Sequence, residues 1–368
     1  MSVHVLRPAE ASVLARVAAD HVADGETARR LAAPVAAALA ASGFGQWLLP
    51  GAVSETSFTD VVRAQLEIAA TCVSTAWCIA NIATSSRIVG YLSPVCVDEI
   101  WSADNQALVA NVLAPTGKAV RDGDGWRLSG KWKFASGIDF CSWLIVCAVA
   151  EDGDRRGLRF FLLPREDFSV VDDWFNVGMR ATGSKTVVIS DVVVPDHRVV
   201  DRERLMDGWP GSAVDPSQAM PFLGYGPMLL AAPIVGAARG ALRWWVDWTR
   251  EKSDRDGFFR EKEANQVLLT RCAAEIEVAE LLLLRVAAQA DRAAITPEDE
   301  ARVLRDVSYA AHLAVGSIDR LFRASGSQIH QESLPLQRTW RDLTSAVSHA
   351  GLRFETAARA YAAQAWTS

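Results

Sequence analysis

The spacing of hydrophobic positions changes twice along the chain. From residue 1 to about 106 it is helical, most clearly in the Ala-rich stretches 28–41 and 61–83, where strand formers are few. Gly43 follows a helix, Pro50-Gly51 marks a turn, and Asp98-Glu99-Ile100-Trp101 closes this part. Short runs rich in β-branched and aromatic residues then take over, at 107–113, 126–134, 143–150, 158–163 and 186–194. Polar turns separate them, among them Asp122-Gly123-Asp124-Gly125 and Glu151-Asp152-Gly153-Asp154. No helical run intervenes, so the pattern predicts an antiparallel sheet or barrel, not a Rossmann unit. From about residue 227 the helical period returns. It is clear over 266–290, where Glu275, Glu277 and Glu280 sit among Leu and Ala. Thr296 followed by Pro297 predicts the start of the next helix. The expected organisation is α+β: a helical domain at 1–106, a β domain at 107–215 and a helical bundle at 216–368.

Composition narrows the function. Of 368 residues 50% are apolar and 22% charged, which is ordinary for a globular chain. A net charge of -6 leaves no basic face for nucleic acid. The N-terminus has no apolar signal core, and the run Met228–Ala238 is too short to span a bilayer before it meets Arg239. No membrane partner and a cytoplasmic location are expected. Cys72, Cys78, Cys96, Cys141, Cys147 and Cys272 form no CxxC pair and read as reduced core thiols. Three of the tryptophans, Trp244, Trp245 and Trp248, share a helical stretch and read as core or interface packing. No paired-ligand spacing supports a metal, and no GxGxxG or Walker pattern supports a nicotinamide or ATP site.

Five segments carry chemistry. The first runs Gly125-Trp126-Arg127-Leu128-Ser129-Gly130-Lys131-Trp132-Lys133-Phe134-Ala135-Ser136-Gly137 and ends on an aromatic ring, a hydroxyl and a flexible residue. The second, Asn176-Val177-Gly178-Met179-Arg180-Ala181-Thr182-Gly183-Ser184, places hydroxyls and backbone N–H groups around a sharp turn at Gly183; His197, shortly after it, reads as a surface or interface residue. The third is Arg255-Asp256-Gly257-Phe258 with Gln266; alone, Arg255 reads as a solvated charge. The fourth is Gly326-Ser327-Gln328 with Pro335 and Arg338, where a Gly turn can approach a phosphate. The last is Arg341-Asp342 through His349-Ala350. Asn111 lies on the first strand run.

Together these segments resemble the acyl-CoA dehydrogenase fold: an N-terminal helical domain, a central antiparallel β-barrel domain and a C-terminal helical bundle. In the dehydrogenases the last segment carries the glutamate base, and here that position is Ala350. Alanine cannot take a proton, and His349 is beside it. Phe134 and Ser136 fall where the dehydrogenases have Trp and Thr. The pattern is similar to the flavin-dependent monooxygenases of this fold, the oxygenase components of two-component, group D hydroxylase-like systems. The resemblance implies reduced flavin (FADH2 or FMNH2) from a separate flavin reductase, O2 as co-substrate, and a C4a-hydroperoxide. It implies Phe134, Ser136, Gly137, Arg180, Thr182 and Ser184 around the flavin. It also implies Arg255, Gln266, Gly326 and Gln328 at a diphosphate, Arg255 reaching the flavin of a neighbour in a homo-tetramer or at least a dimer. His349 is then the acid/base, with Ser136 and Asn111 assisting. Phe259, Glu261-Lys262 and Ser327 depart from the family pattern and leave FMN or FAD open. The expected substrate is a small aromatic or polyketide-like molecule. The alternatives are N-oxygenation of an amino sugar, a dehydrogenase with its base moved to Glu332 or Glu355, and a non-catalytic assembly subunit.

Overall fold

A computed structural model describes residues 8–49, 56–209, 216–255 and 257–367. The turn expected at Pro50-Gly51 lies outside the described residues, as does Asp256. Helices α1 (Pro8–Asp20), α2 (Val22–Ala28), α3 (Ala33–Ala41), α4 (Phe58–Ala69), α5 (Val73–Val89) and α6 (Pro94–Trp101) come first. Both Ala-rich stretches contain a break. Arg29 takes a left-handed conformation (φ 55°), which ends α2 before Pro34 sits in the first turn of α3. Ser57 and Asp60 form a capping box that starts α4.

The sheet contains β1 (Val109–Asp122), β2 (Gly125–Ala135), β3 (Trp143–Asp152), β4 (Arg155–Pro164), β5 (Ser169–Val171), β6 (Lys185–Pro195) and β7 (Val199–Asp201), in the order β5-β6-β2-β1-β3-β4-β7. The two polar turns join β1 to β2 and β3 to β4 as antiparallel hairpins, with Gly123 and Gly153 both at φ +56°. One pairing departs from the antiparallel expectation. After β2 the chain crosses to the other side of β1, so β3 runs parallel to it and the sheet is mixed. Trp132 is fully buried, its indole N–H donates to the Cys147 carbonyl at 2.7 Å, and its ring lies against Gly117.

After α7 (Glu203–Met206) comes α8 (Gly226–Thr249), then the short β8 (Ser253–Asp254) and β9 (Gly257–Phe258). Helices α9 (Glu263–Asp291), α10 (Glu300–Ala324), α11 (Pro335–Ala346) and α12 (Phe354–Ala365) complete the bundle. Thr296 precedes the expected start at Pro297, its backbone N–H donating to the Asp299 carboxylate at 3.1 Å. The segment Phe222–Thr249 is the one stretch among the described residues long and apolar enough to cross a membrane. Most of it, 83% of its apolar window, is buried, with α8 packed on α4, α5, α9 and α10. All six cysteines are buried and free.

Candidate active site

The end of β2 is strained. Its register with β6 shifts between Trp132 and Ala135, and within this bulge Phe134 sits at φ +70°. Its ring is 65% exposed, with Trp174 meeting it edge-on at 6.0 Å between centroids. An open aromatic face on a strained backbone points to a flat partner. The residues therefore fit a flavin ring at this face.

Behind Phe134 three hydroxyls bond one another. Ser136 Oγ lies 2.8 Å from Ser184 Oγ, which lies 2.6 Å from Thr182 Oγ1. Thr182 Oγ1 also donates to the Met179 carbonyl at 2.8 Å, and Gly137 N donates to the Thr182 carbonyl at 2.8 Å. Gly137 itself needs φ +77°. All three residues are buried, and each hydroxyl proton is used inside the chain, Thr182 on the Met179 carbonyl, Ser184 on Thr182 and Ser136 on Ser184, so none of the three offers a proton to a cofactor. The bonds of Thr182 and Ser184 instead set the position of Ser136. Arg180 donates from Nε to the Asn176 carbonyl at 2.9 Å and lies 3.7 Å from Glu26.

His349 follows α11 and caps the short turn Ala350–Leu352. Gly351 N donates to its Nδ1 at 3.1 Å. A neutral ring with Nδ1 accepting carries its proton on Nε2, so the free nitrogen is a donor. The Trp77 ring of α5 meets the imidazole edge-on at 5.7 Å. His349 keeps exposed surface yet is closely surrounded, as on the wall of a recess, and that crowding lowers its pKa from the ordinary histidine value. Glu332 and Glu355 are exposed on the outer surface of the bundle.

Asn111 has no amide hydrogen left for a bound oxygen, contrary to expectation. Both its amide hydrogens are used within the fold, Nδ2 donating to the Asn81 carbonyl at 2.7 Å and to Ser85 Oγ at 2.9 Å. It ties β1 to α5. Arg255, Gln266, Gly326 and Gln328 form a separate group at one end of the bundle, all exposed. Gln266 donates to the Arg260 carbonyl at 3.1 Å. Trp245 and Lys252 both bond Ser325, at 3.0 and 3.2 Å, and so hold the turn at Gly326. Gly326 (φ +75°) faces open space. Beside it lies a cavity of about 360 Å³, where Phe322 stacks on Trp340 at 4.6 Å and His330 meets Phe322 edge-on.

Among the described residues Cys96, Glu99 and His197 approach the spacing of metal ligands. The Glu99 carboxylate is already bonded by His197 at 2.9 Å and Arg198 at 2.8 Å, a network pinning α6 to the turn after β6. Trp77, Trp174 and the partners of Asp342 described below went unnoticed in the sequence. Nothing in its local pattern signals them, because each contact joins distant segments.

Helices, a mixed sheet and a second helical layer follow one another along the chain, and an imidazole stands beside Ala350 after α11. Residues 228–354 match the acyl-CoA dehydrogenase, C-terminal domain family. The chain is 32% identical over 301 residues to the flavin-dependent monooxygenase, oxygenase subunit HsaA, of Mycobacterium tuberculosis, covering 78% of this chain and 76% of that one. It is 29% identical to the FADH(2)-dependent resorcinol hydroxylase, oxygenase component, of a Rhizobium species, covering 90% and 86%. The structure of XiaF from a Streptomyces species in complex with FADH2 and glycerol superposes with a TM-score of 0.91 at 29% identity, covering 98% and 96%. The chain belongs to the flavin-dependent monooxygenases of the acyl-CoA dehydrogenase fold, as an oxygenase component. It is an oxidoreductase that uses flavin and O2.

Proposed function

We propose that this chain hydroxylates a small phenolic or related aromatic substrate with reduced flavin supplied by a separate reductase. The carrying observation is the pairing of Ala350, which cannot remove a proton, with His349, whose Nε2–H is free to donate. Relatives named for resorcinol and for p-hydroxyphenylacetate support an aromatic substrate. Bound reduced flavin supplies the activated oxygen. Phe134 and the β2 bulge would hold its ring, and the Ser136 oxygen, its proton spent on Ser184, would accept from an N–H at the ring's polar edge. His349 donates through Nε2 toward the oxygen being transferred and orients the substrate hydroxyl. Trp77 packs edge-on against the imidazole and supports its orientation.

A homo-tetramer is part of this reading. Val267, Val278 and Leu281 on one face of α9 are 60%, 45% and 59% exposed, an apolar stripe suited to a second copy. The test is to supply chemically reduced FAD and O2 and measure product against hydrogen peroxide with a panel of phenols and an acyl-CoA. Coupled phenol hydroxylation is expected. Reduction of oxidised FAD by the acyl-CoA in a separate anaerobic mixture, with no oxygenated phenol in the first, would overturn the reading.

A further inference from the structure

The Arg341-Asp342 pair stands out in the sequence, yet no step so far uses it. Asp342 lies inside α11 and is 4% exposed. Its Oδ1 accepts a hydrogen bond from the backbone N–H of Met179 at 2.5 Å. Met179 is a left-handed non-glycine residue (φ 55°), a conformation that needs outside support. Before it, Gly178 runs so close to α11 that a Cβ there would lie 2.3 Å from the Arg341 carbonyl oxygen. Arg341 donates to the Val177 carbonyl and, at 2.8 Å, to Glu26. The two residues of the pair therefore grip three consecutive residues of the loop.

What that loop does next matters. The Met179 carbonyl accepts from Thr182 N at 3.2 Å and from Thr182 Oγ1 at 2.8 Å. Thr182 then bonds Ser184, and Ser184 bonds Ser136. A second branch runs from the Thr182 carbonyl to Gly137 N. One continuous line of hydrogen bonds thus joins a carboxyl on the helix leading to His349 with the hydroxyl beside Phe134.

We propose that Asp342 is a positioning residue: by holding Met179 in its left-handed conformation it sets the place of the Ser136 hydroxyl relative to the His349 segment. This rests on the reading of Ser136 given under Proposed function. Ser184 lies just before β6, outside the strand's ladder. Only the grip from α11 fixes that loop against the helix ending near the imidazole.

The test uses the full chain. Asp342→Ala should speed hydrogen exchange at the Met179, Thr182 and Gly137 amides at least about tenfold. Asp342→Asn keeps an accepting oxygen and should stay within about twofold of wild type. Thr182→Val removes only the Oγ1 bonds to Met179 and Ser184 and keeps Gly137 N on the Thr182 carbonyl, so Met179 and Gly137 should both stay protected while the product ratio falls as in Ser136→Ala. With reduced FAD and O2, Ser136→Ala should lower the ratio of product to hydrogen peroxide, and adding it to Asp342→Ala should change little further. Unchanged exchange at Met179 and Gly137 in Asp342→Ala overturns the proposal, as does Asn behaving like Ala. If Asp342→Ala does not fold, Asp342→Ser, whose side chain is one atom too short to reach Met179 N, takes its place with the same expected exchange and the same overturning result. A wild-type product ratio in Ser136→Ala would sink the reading of Ser136 instead, and the exchange rates would still decide the role of Asp342.

Discussion

Replacing Asp342 by Asn should make the protein more stable at high pH and leave it nearly unchanged in acid. Burial raises the Asp342 carboxyl to about 7, with Glu26 nearby adding to the rise and Arg338 and Arg341 opposing it. In the unfolded chain an aspartate titrates near 3.9, roughly three units lower. The folded state therefore prefers the protonated carboxyl. That preference is fully present below about pH 4 and is lost as pH rises to about 7. At about 1.36 kcal/mol per unit, the loss is on the order of 4 kcal/mol by pH 8. Asparagine still accepts the Met179 N–H but cannot ionise, so it escapes the loss. With about 2.1 cal/mol/K per residue of unfolding entropy, a chain of this length gains about 5 °C in Tm at pH 8. Thermal unfolding of both proteins by circular dichroism from pH 4.5 to 8.5 reads this directly. Two Tm curves that run parallel across the range would refute the reasoning. So would an Asn variant less stable than wild type at pH 8.

Other outcomes follow from the same geometry. His349→Ala should lower coupled product formation about 10²-fold while O2 uptake continues as hydrogen peroxide; coupled turnover at the wild-type rate would falsify its role. Because crowding lowers the His349 pKa, that ring should stay neutral below the usual histidine range, so its C2-proton NMR titration should lie to the acid side of a free imidazole. Phe134→Ala should weaken reduced-flavin binding about tenfold, the loss of one aromatic face, as read by anaerobic titration. Gly117→Ala would place a Cβ 1.9 Å from the Trp132 ring. It should cost about 1–3 kcal/mol in denaturant unfolding. Leu281→Glu on the exposed α9 stripe should reduce the mass found by light scattering.

Much of the architecture was legible because its signals are local. Gly123 and Gly153 in polar turns announced two hairpins, and Thr296-Pro297 announced a helix start. The parallel pairing of β1 with β3 was not legible. It depends on which side of β1 the chain crosses to after Gly137, and no residue period encodes that choice. Arg29 hid in an Ala-rich stretch because its left-handed turn is supported from elsewhere: its guanidinium bonds Asp172 and the Trp174 carbonyl. The site was legible in outline. His349 beside Ala350 stood out because a proton acceptor was missing. Asn111 misled because residue type reveals an amide but not where its hydrogens point. The chain of bonds through Thr182, Ser184 and Ser136 was hidden in the same way, because residue type does not reveal where a hydroxyl sends its one proton.

The buried cysteines bear on how such an enzyme survives its own chemistry. An oxygenase that turns over without substrate releases hydrogen peroxide inside its own fold. Thiol oxidation starts from the thiolate. Burial pushes the Cys96 and Cys147 thiols up to about 12, and raises Cys72, Cys78, Cys141 and Cys272 above the ordinary thiol value. With a pKa of about 12, roughly one molecule in 10⁴ carries a thiolate at pH 8. The same packing that makes these residues unremarkable as core side chains leaves the oxidant little to attack. Damage from futile cycling should therefore begin elsewhere than at sulfur in these six positions.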